Sequence, residues 1–394
     1  MNLRQKIEQE ISERGPIPFS RYMELCLYDP DLGYYSRNAE QFGKAGDFYT
    51  SSDVHAVFGR LLARQFEEMW RALGSPAQIE ILELGPGRGL FAQDVLDWSE
   101  KKFPDFFRAL HYRLVETSPV LRKRLQATLE RHFAAGKASL CSGSLIPGEG
   151  TTSVVPQKAT LARALAPEVP VIVFANEFFD ALPVEVLSPE GDLHLSEKDG
   201  RLVETWNAAS PEGIEFLDRY SVHPEAGERI EGSLIAQRYM SLITATVNRG
   251  FIVAIDYGYT RQEQLAGRHR GTISAYRQHS ERANPYEAPG EQDITAHVNF
   301  TALAAAAEQG GMQVQPLLTQ SQFLLGIGEH NQFADAFEEC RLLQERAKVA
   351  LQLKHLITPT GMGESFHVFI ASKDIDTVQV SRLSGLMFGK TARL

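Results

Sequence analysis

Hydrophobic residues along this chain follow two patterns that alternate with each other. Short apolar runs without regular polar interruption occur at 169–175 and 251–255, which is typical of strands buried on both faces. Elsewhere apolar residues recur every three or four positions, as at 90–101, 119–133 and 228–248, which predicts amphipathic helices. Strands that alternate with helices predict an α/β protein with a doubly wound sheet.

The same patterns suggest how the chain is divided. Residues 1–75 predict amphipathic helices and a loop rich in glycine and aromatic residues, and residues 76–394 predict one elaborated domain. Short antiparallel strands open a predicted insertion at about 184–250, and a polar stretch elaborates the domain again at about 260–300. The sequence shows no internal repeat or clear linker, so we expect one continuous unit beyond residue 75.

The most informative stretch is 79–89, where an apolar strand leads into glycines at every second position before a helix begins. A strand, a tight turn and a helix N-terminus form the unit that binds nucleotide-like ligands at the edge of a parallel sheet. A dinucleotide fingerprint places its third glycine where this chain has Leu90, whereas the glycine here is Gly89. Pro86 also lacks the N–H group that a pyrophosphate needs. The turn, with the Glu83 carboxylate beside it, therefore favours S-adenosyl-L-methionine. A NAD(P)-dependent oxidoreductase and a purely structural corner are the alternatives.

Acidic residues follow two other predicted strands. Glu116 ends the strand at 112–115, where a carboxylate can accept hydrogen bonds from both ribose hydroxyls of a nucleoside. A solvated glutamate at a strand end is the alternative there. Asp256 follows the run at 251–255, and an aspartate that merely ends its strand is an equally good interpretation.

The sequence at 176–183 is an unusual turn, with two carboxylates, an amide and two phenylalanines directly after a buried strand. One capping residue would be enough to end the strand. An arginine guanidinium stays charged at neutral pH, and two carboxylates can hold it in a bidentate grip that leaves one nitrogen able to attack a methyl group. If the acceptor is a guanidinium, Glu177 and Asp180 are the candidates for that pair, and a purely structural turn is the alternative.

Composition narrows the class of protein. The chain has 394 residues and a net charge of −10, which disfavours a nucleic-acid-binding surface. Its three cysteines and eleven histidines show no metal-ligand spacing, so we expect no metal site. The apolar runs are far shorter than the roughly 20 residues that span a bilayer. We therefore expect a cytoplasmic protein without an integral membrane segment.

Five motifs occur in an order that resembles the MidA family of S-adenosyl-L-methionine-dependent methyltransferases. They are GDFYTSS at 46–52, ELGPGRG at 83–89, NEFFDALP at 176–183, GTISAYR at 271–277 and DITAHVNF at 293–300. The resemblance covers about residues 22–370. It implies a Rossmann-like class I methyltransferase sheet of seven strands, the last of them antiparallel, with the loop before residue 52 covering the donor.

The resemblance also implies roles for individual residues and partners. Donor binding falls to residues of the first three motifs and to the second strand end; these are Asp47, Thr50, Ser51, Ser52, Glu83, Gly85, Gly87, Glu116 and Asn176. Catalytic roles fall to Asn176, Glu177, Asp180 and His297. Mitochondrial members methylate an arginine on a subunit of respiratory complex I, which implies a protein acceptor, such as a respiratory-complex subunit. A homodimer is a further expectation. A non-catalytic assembly factor that retains the donor site is the alternative function.

Overall fold

A mixed β-sheet forms the centre of the protein in the computed structural model, which describes residues 1–36, 56–141, 169–276 and 284–388. The strands are β1 (Ile17–Pro18), β2 (Ile79–Leu84), β3 (Leu110–Val115), β4 (Ala138–Leu140), β5 (Val171–Asn176), β6 (Glu185–Ser188), β7 (Gly191–Lys198), β8 (Arg201–Asn207), β9 (Ile230–Gly232), β10 (Gly250–Tyr259), β11 (Ser274–Tyr276), β12 (Asp293–Thr295), β13 (Val298–Asn299), β14 (Gln313–Val314), β15 (Leu318–Thr319) and β16 (Phe366–Lys373).

The central sheet has the strand order β14-β16-β10-β5-β2-β3-β4. Strands β10, β5, β2, β3 and β4 are parallel to their neighbours in this series, and β16 runs antiparallel to β10. Within the described residues the sheet has nine strands, whereas seven were expected from the sequence. The two additional strands are β13 and β15, two-residue segments that pair beside β10 and β16 and are too short to give a sequence pattern.

Strand register brings the predicted site residues to one edge of the sheet. Leu84, the last residue of β2, lies opposite Val115 of β3 and Ala175 of β5. Asn176 in turn lies opposite Ile255 of β10. Because the carboxyl ends of these strands are level, the residues that follow them meet at the point where open α/β sheets bind ligands.

Helices cover both faces of this sheet. Alternate residues of β5 point to opposite faces, so Ile172 and Phe174 belong to one apolar cluster and Val173 to another. All three are nearly inaccessible to solvent, as predicted for a strand without alternation. The α-helices in the described residues are Leu3–Arg14, Phe19–Tyr28, Ala56–Ala72, Leu90–Lys102, Pro104–Ala109, Pro119–Thr128, Glu130–Ala134, Pro211–Tyr220, Leu234–Thr246, Arg261–Leu265, Phe300–Gln309, Gln320–His330, Ala334–Phe337, Leu343–Ile357 and Thr377–Ser381.

Two predicted helices differ from the structure. The pattern at 119–133 is divided at Leu129, which leaves helical geometry (φ −102°, ψ 17°) while its side chain is buried. The helix expected at 228–248 begins only at Leu234, because residues 230–232 form β9 instead. Pairing of β9 with β6 depends on residues distant in sequence, which helical spacing cannot reveal.

A second, antiparallel sheet includes one strand from the N-terminal segment. Its order is β1-β7-β6-β9, and β8 pairs with β7. Ile17 of β1 lies opposite Leu195 of β7, and both are buried in one cluster with the N-terminal helices. The division of the chain at residue 75 stays a prediction. No helix in the described ranges is long and apolar enough to cross a membrane.

Candidate functional site

A cavity of about 880 Å³ opens at the carboxyl ends of β2, β3, β5 and β10. Every predicted site residue within the described ranges lines it, namely Glu83, Gly85, Gly87, Glu116, Asn176, Glu177, Asp180 and His297. Asp47, Thr50, Ser51 and Ser52 lie outside the described residues. The structure therefore brings the predicted donor and acceptor residues into one cavity, while their individual roles stay predictions.

The glycine turn after β2 forms one wall of this cavity. Gly85, Gly87 and Gly89 have φ values of 64°, 54° and 79°, in the left-handed region that glycine adopts without strain. A Cβ atom at Gly85 would lie 3.0 Å from the Phe178 ring, so the position also has little room. The Gly85 N–H donates to the carbonyl of Val115 (3.0 Å), which ties the turn to β3. The glycines are thus required by backbone geometry as well as by close packing.

Glu83 is a buried carboxyl group at the base of the cavity. The Tyr112 hydroxyl donates a hydrogen bond to Glu83 Oε2 (2.9 Å). Burial raises the pKa of Glu83 to about 8, although the bond from Tyr112 opposes the shift. A cationic ligand nearby would favour the ionised form, because an opposite charge lowers the pKa of a carboxyl group.

Glu116 is the corresponding carboxyl group at the end of β3. It is buried, and its Oε1 accepts a hydrogen bond from the Ser118 N–H (2.9 Å). Burial raises its pKa to about 7, while the N–H groups of Ser118, Thr117 and Gly87 favour the ionised form. Glu116 is therefore not the solvated strand-end glutamate that was the alternative interpretation.

The turn after β5 has a strained backbone at Glu177, whose φ of 49° is uncommon for a residue with a side chain. Its N–H donates to the carbonyl of Ile255 on the neighbouring strand (2.9 Å). Strain of this kind persists only where surrounding contacts hold it, and such positions cluster at functional sites.

Asp256 supplies those contacts. Its Oδ2 accepts hydrogen bonds from the N–H groups of Phe178 (3.2 Å), Phe179 (3.0 Å) and Asp180 (3.2 Å). The side chain is 1% exposed, so Asp256 is a positioning residue for the turn rather than a simple strand end. Sequence reasoning left this residue undecided, since its partners lie more than 70 positions away.

Two buried oxygens in this turn accept no hydrogen bond from any described residue. They are Asn176 Oδ1 and Asp180 Oδ1. Asn176 Nδ2 donates to Glu177 Oε1 (3.1 Å), and the Tyr257 hydroxyl donates to Asp180 Oδ2. Because leaving a buried acceptor unpaired costs roughly 1–3 kcal/mol, these oxygens suit a ligand that brings hydrogen-bond donors.

Aromatic rings, which the sequence did not identify as site residues, form another part of the wall. Tyr28 and Tyr35 line the cavity with ring centroids 5.6 Å apart. The Tyr28 hydroxyl donates to the carbonyl of Ala181 (2.9 Å), and the Tyr35 hydroxyl donates to Asp293 Oδ1 (2.9 Å). The run of tyrosines at 34–35 was the available signal, but nothing local to it indicates contact with a distant turn.

His297 lines the cavity beside a second histidine. Its Nδ1 lies 3.2 Å from the Nδ1 of His269, and its ring packs edge-on against Tyr257. Burial lowers the pKa of His297 to about 4, and the nearby His269 and His367 add to this shift. His297 is therefore a neutral imidazole at neutral pH. No group of His, Cys, Asp and Glu side chains in the described ranges has the geometry of a metal site.

Comparison with known proteins gives the family of this chain. Residues 61–318 match the family model for an S-adenosyl-L-methionine-dependent methyltransferase. The protein named protein arginine methyltransferase NDUFAF7 homolog, mitochondrial, of Drosophila melanogaster is 33% identical over 79% of this chain and 71% of its own length. The human protein arginine methyltransferase NDUFAF7, mitochondrial, is 28% identical over 91% of this chain and 81% of its own length.

Solved structures agree with the sequence comparison. A Burkholderia thailandensis protein crystallised with S-adenosyl-homocysteine superposes with a TM-score of 0.77 at 27% identity, over 96% of this chain and 94% of that chain. A native crystal structure from the same organism gives a TM-score of 0.76 at 27% identity, over 97% and 93% of the two chains.

One expectation is corrected by these comparisons. The sequence composition led us to expect a cytoplasmic protein, and this was wrong, because the similar relatives are named as mitochondrial proteins. Cysteine usage and the lack of long apolar runs do not distinguish the two compartments.

The comparisons also decide between the functions that the sequence left open. They support a methyltransferase over a NAD(P)-dependent oxidoreductase and over a non-catalytic assembly factor. The spacing of the glycine turn had already disfavoured a dinucleotide. The chain belongs to this family of S-adenosyl-L-methionine-dependent methyltransferases, the MidA family that its motifs resemble.

Proposed function

We propose that this protein methylates the guanidinium of an arginine side chain on a partner protein. The observation that carries the proposal is the pair of unpaired buried oxygens, Asn176 Oδ1 and Asp180 Oδ1, beside the Glu177 carboxylate. A guanidinium presents five N–H donors in a planar fork and stays charged at neutral pH, so it can satisfy such acceptors. The names of the relatives as protein arginine methyltransferases support the same acceptor.

Within the same cavity, we assign donor binding to Glu83, Gly85, Gly87 and Glu116, together with Asn176. Bound S-adenosyl-L-methionine supplies an electrophilic methyl group on a sulfonium cation. The chemistry of these residues fits such a ligand, since Glu116 can accept bonds from two ribose hydroxyls and the glycines let a ligand approach the backbone closely. The proposal keeps Asp47, Thr50, Ser51 and Ser52 as donor-binding residues, and the class I seven-strand arrangement as the basis of the central sheet.

The acceptor residues prepare the nitrogen for attack. Glu177 and Asp180 hold the guanidinium on one side, which concentrates its positive charge there and leaves the opposite nitrogen better able to attack. Burial raises the pKa of Asp180 to about 6, and the arriving guanidinium would restore its ionised form. Holding both reactants about 3 Å apart supplies much of the rate acceleration.

The partner protein belongs to the same proposal. By family resemblance it is a subunit of a respiratory complex, and the acceptor arginine would enter the cavity from its open side. A homodimer stays a prediction.

Labelled methyl transfer tests the proposed function. The purified protein and tritiated S-adenosyl-L-methionine are incubated with proteins from cells that lack this chain, and the labelled product is mapped by mass spectrometry. We expect methylated arginine with the wild type and a loss of at least about 100-fold with Glu177→Gln or Asp180→Asn, as for a lost transition-state interaction of nearly 3 kcal/mol. Label on another residue type, or full activity in both variants, would contradict the proposal.

The matched control is Glu80→Gln. Glu80 lies on β2 with Glu83 but pairs with Arg113 (3.2 Å). This change removes a buried carboxylate from the same strand without altering the cavity lining, so activity should be retained.

A further inference from the structure

The paired imidazoles of His297 and His269 have no part in the grip on the acceptor described above. Their Nδ1 atoms are 3.2 Å apart and their ring centroids 5.4 Å apart, and both rings line the cavity. Two nitrogens at this distance form a hydrogen bond only when one carries a proton and the other does not. The pair therefore shares one proton, which leaves one Nε2 as an acceptor and the other as a donor.

Both rings are fixed in position by contacts from other elements. The His297 N–H donates to Thr272 Oγ1 (3.1 Å), and that hydroxyl donates to the buried Glu231 Oε2 (3.0 Å). Glu231 also accepts the Thr272 N–H (2.9 Å), so the segment carrying Thr272 is held on two sides. The ring of His297 is thus anchored through its backbone to the second sheet.

His269 has an equally specific environment. Its φ of 56° lies in the left-handed region, and its carbonyl accepts a hydrogen bond from Gln264 Nε2 (3.2 Å). Gln264 is buried and accepts in turn from the Ser221 hydroxyl (2.6 Å). The His269 ring stacks on Tyr259 with an interplanar angle of 19°. Strained backbone held by a buried amide is the kind of feature that functional sites retain.

The pair lies between the predicted acceptor residues and an exposed segment of the chain. On the inner side, Tyr257 packs against His297 and hydrogen-bonds Asp180, and the Ala296 N–H donates to the carbonyl of Asp180 (3.0 Å). On the outer side, His269 follows a stretch, 265–268, whose residues are all exposed. The charged and titratable groups around the pair are Glu263, Arg268 and Tyr259 beside His269, His367 beside His297, and Asp180 and Tyr257 on the inner side.

Methylation of an arginine side chain releases a proton, which needs a route out of the cavity. A nitrogen–carbon bond forms, the donor's sulfur–carbon bond breaks with its electron pair left on sulfur, and one N–H proton of the acceptor must leave. The geometry points to His297 and His269 as the exit route for this proton. His297 Nε2 accepts it, His297 Nδ1 passes its own proton to His269 Nδ1, and His269 Nε2 releases a proton to solvent. The route rests on the function proposed above, and it gives His297 a specific role and adds His269 as a relay residue.

A spectroscopic readout tests the pair without any methyl acceptor. With histidine-selective 15N labelling, the bridging proton should give a through-bond coupling between the two Nδ1 atoms, and His269→Gln should abolish it. Two rings that titrate independently, without this coupling, would overturn the inference while leaving the proposed function intact.

The kinetic test uses His269→Gly, because glycine adopts a φ of 56° without strain and the variant should fold. With the acceptor mapped by the labelling experiment, kcat should fall about 100-fold, the low end of what proton transfer by a positioned side chain contributes. The KM values for donor and acceptor should stay within about two-fold, and added imidazole should restore part of the rate by occupying the space of the ring.

His111→Gln is the matched control. His111 is a half-buried histidine with one ring hydrogen bond, to Ser139 (2.8 Å), on the far strands of the sheet. Its loss should change neither kcat nor the response to imidazole. An unchanged kcat in His269→Gly would overturn the relay alone, whereas a wild type that methylates no arginine would overturn the proposed function and the relay together.

Discussion

The hydroxyl of Tyr257 donates a hydrogen bond to Asp180 Oδ2, so that one carboxylate oxygen of Asp180 is held by the protein and the other is left for a ligand. This division fixes the orientation of the carboxylate before any acceptor arrives. Preorganised groups of this kind avoid paying for reorientation during the reaction.

The backbone of Glu177 provides the first prediction. Because its φ is 49°, Glu177→Gly should be more stable to unfolding than Glu177→Ala by about 1 kcal/mol, although both variants lose methyl transfer. Urea denaturation monitored by circular dichroism measures the difference. Asp199→Gly, at an exposed turn with φ of 52°, is the control for strain relief away from the site. Equal stability of the two Glu177 variants would show that the turn is not strained.

Asp256 provides the second prediction. Asp256→Ala removes the acceptor for three N–H groups, two of them buried and one half-buried, and each unsatisfied buried group costs roughly 1–3 kcal/mol. We expect the free energy of unfolding to fall by at least about 3 kcal/mol. Asp256→Asn keeps one oxygen acceptor and should lose less. The control is Asp192→Ala, which removes the acceptor of a hydrogen bond from the Ser210 N–H (2.9 Å). Because Asp192 lies in the second sheet, this variant should bind the donor like the wild type. Retained donor binding in Asp192→Ala would separate a local effect at Asp256 from general destabilisation.

Donor affinity provides the third prediction. Glu116→Gln should weaken binding of S-adenosyl-homocysteine about 10-fold or more, since hydrogen bonds to a charged group contribute roughly 1.5–3 kcal/mol. Isothermal titration calorimetry measures the change directly. Glu80→Gln should bind like the wild type, because Glu80 pairs with Arg113. Equal affinity in all three proteins would remove Glu116 from the donor site.

Glu83 gives a prediction about pH. Its pKa is about 8 in the folded protein and near 4.5 when unfolded, so between these values the folded chain holds a proton that the unfolded chain releases. Stability of the ligand-free protein should therefore fall as pH rises from about 4.5 to 8, with a contribution from this group of up to about 1.4 kcal/mol per pH unit. Denaturation at pH 5, 6.5 and 8 should show a shallower decline in Glu83→Gln. An identical decline in both proteins would contradict the buried, protonated state.

The parts of the fold that sequence predicted are those encoded by neighbouring residues. Strand β2 occupies the apolar run predicted before the glycine turn, and the helix after that turn begins at Leu90 as expected. The family, the methyltransferase activity and the donor are confirmed by the comparisons. For strand β2, the helix and the donor, the signal lies within a dozen consecutive residues, where hydrophobic spacing and glycine geometry act locally, whereas the family was indicated by the order of five short motifs.

Features that depend on distant contacts were not predictable. His269 carries no local signal, because its importance comes from a ring on a segment 28 positions away. Asp256 resembles any aspartate at a strand end until the turn after β5 is placed beside it. Strand β9 was expected to be helical for the same reason, since only its pairing with β6 defines it. Local periodicity does not report such relationships.

The N-terminal segment contacts three separate parts of the structure. Its strand β1 extends the second sheet through Ile17, the Tyr22 hydroxyl bonds the carbonyl of Pro285 (2.6 Å), and Tyr28 contributes to the cavity wall. Displacement of the first two helices would therefore change the lining of the cavity. Fewer than thirty residues therefore connect the second sheet, the segment around Pro285 and the wall of the cavity.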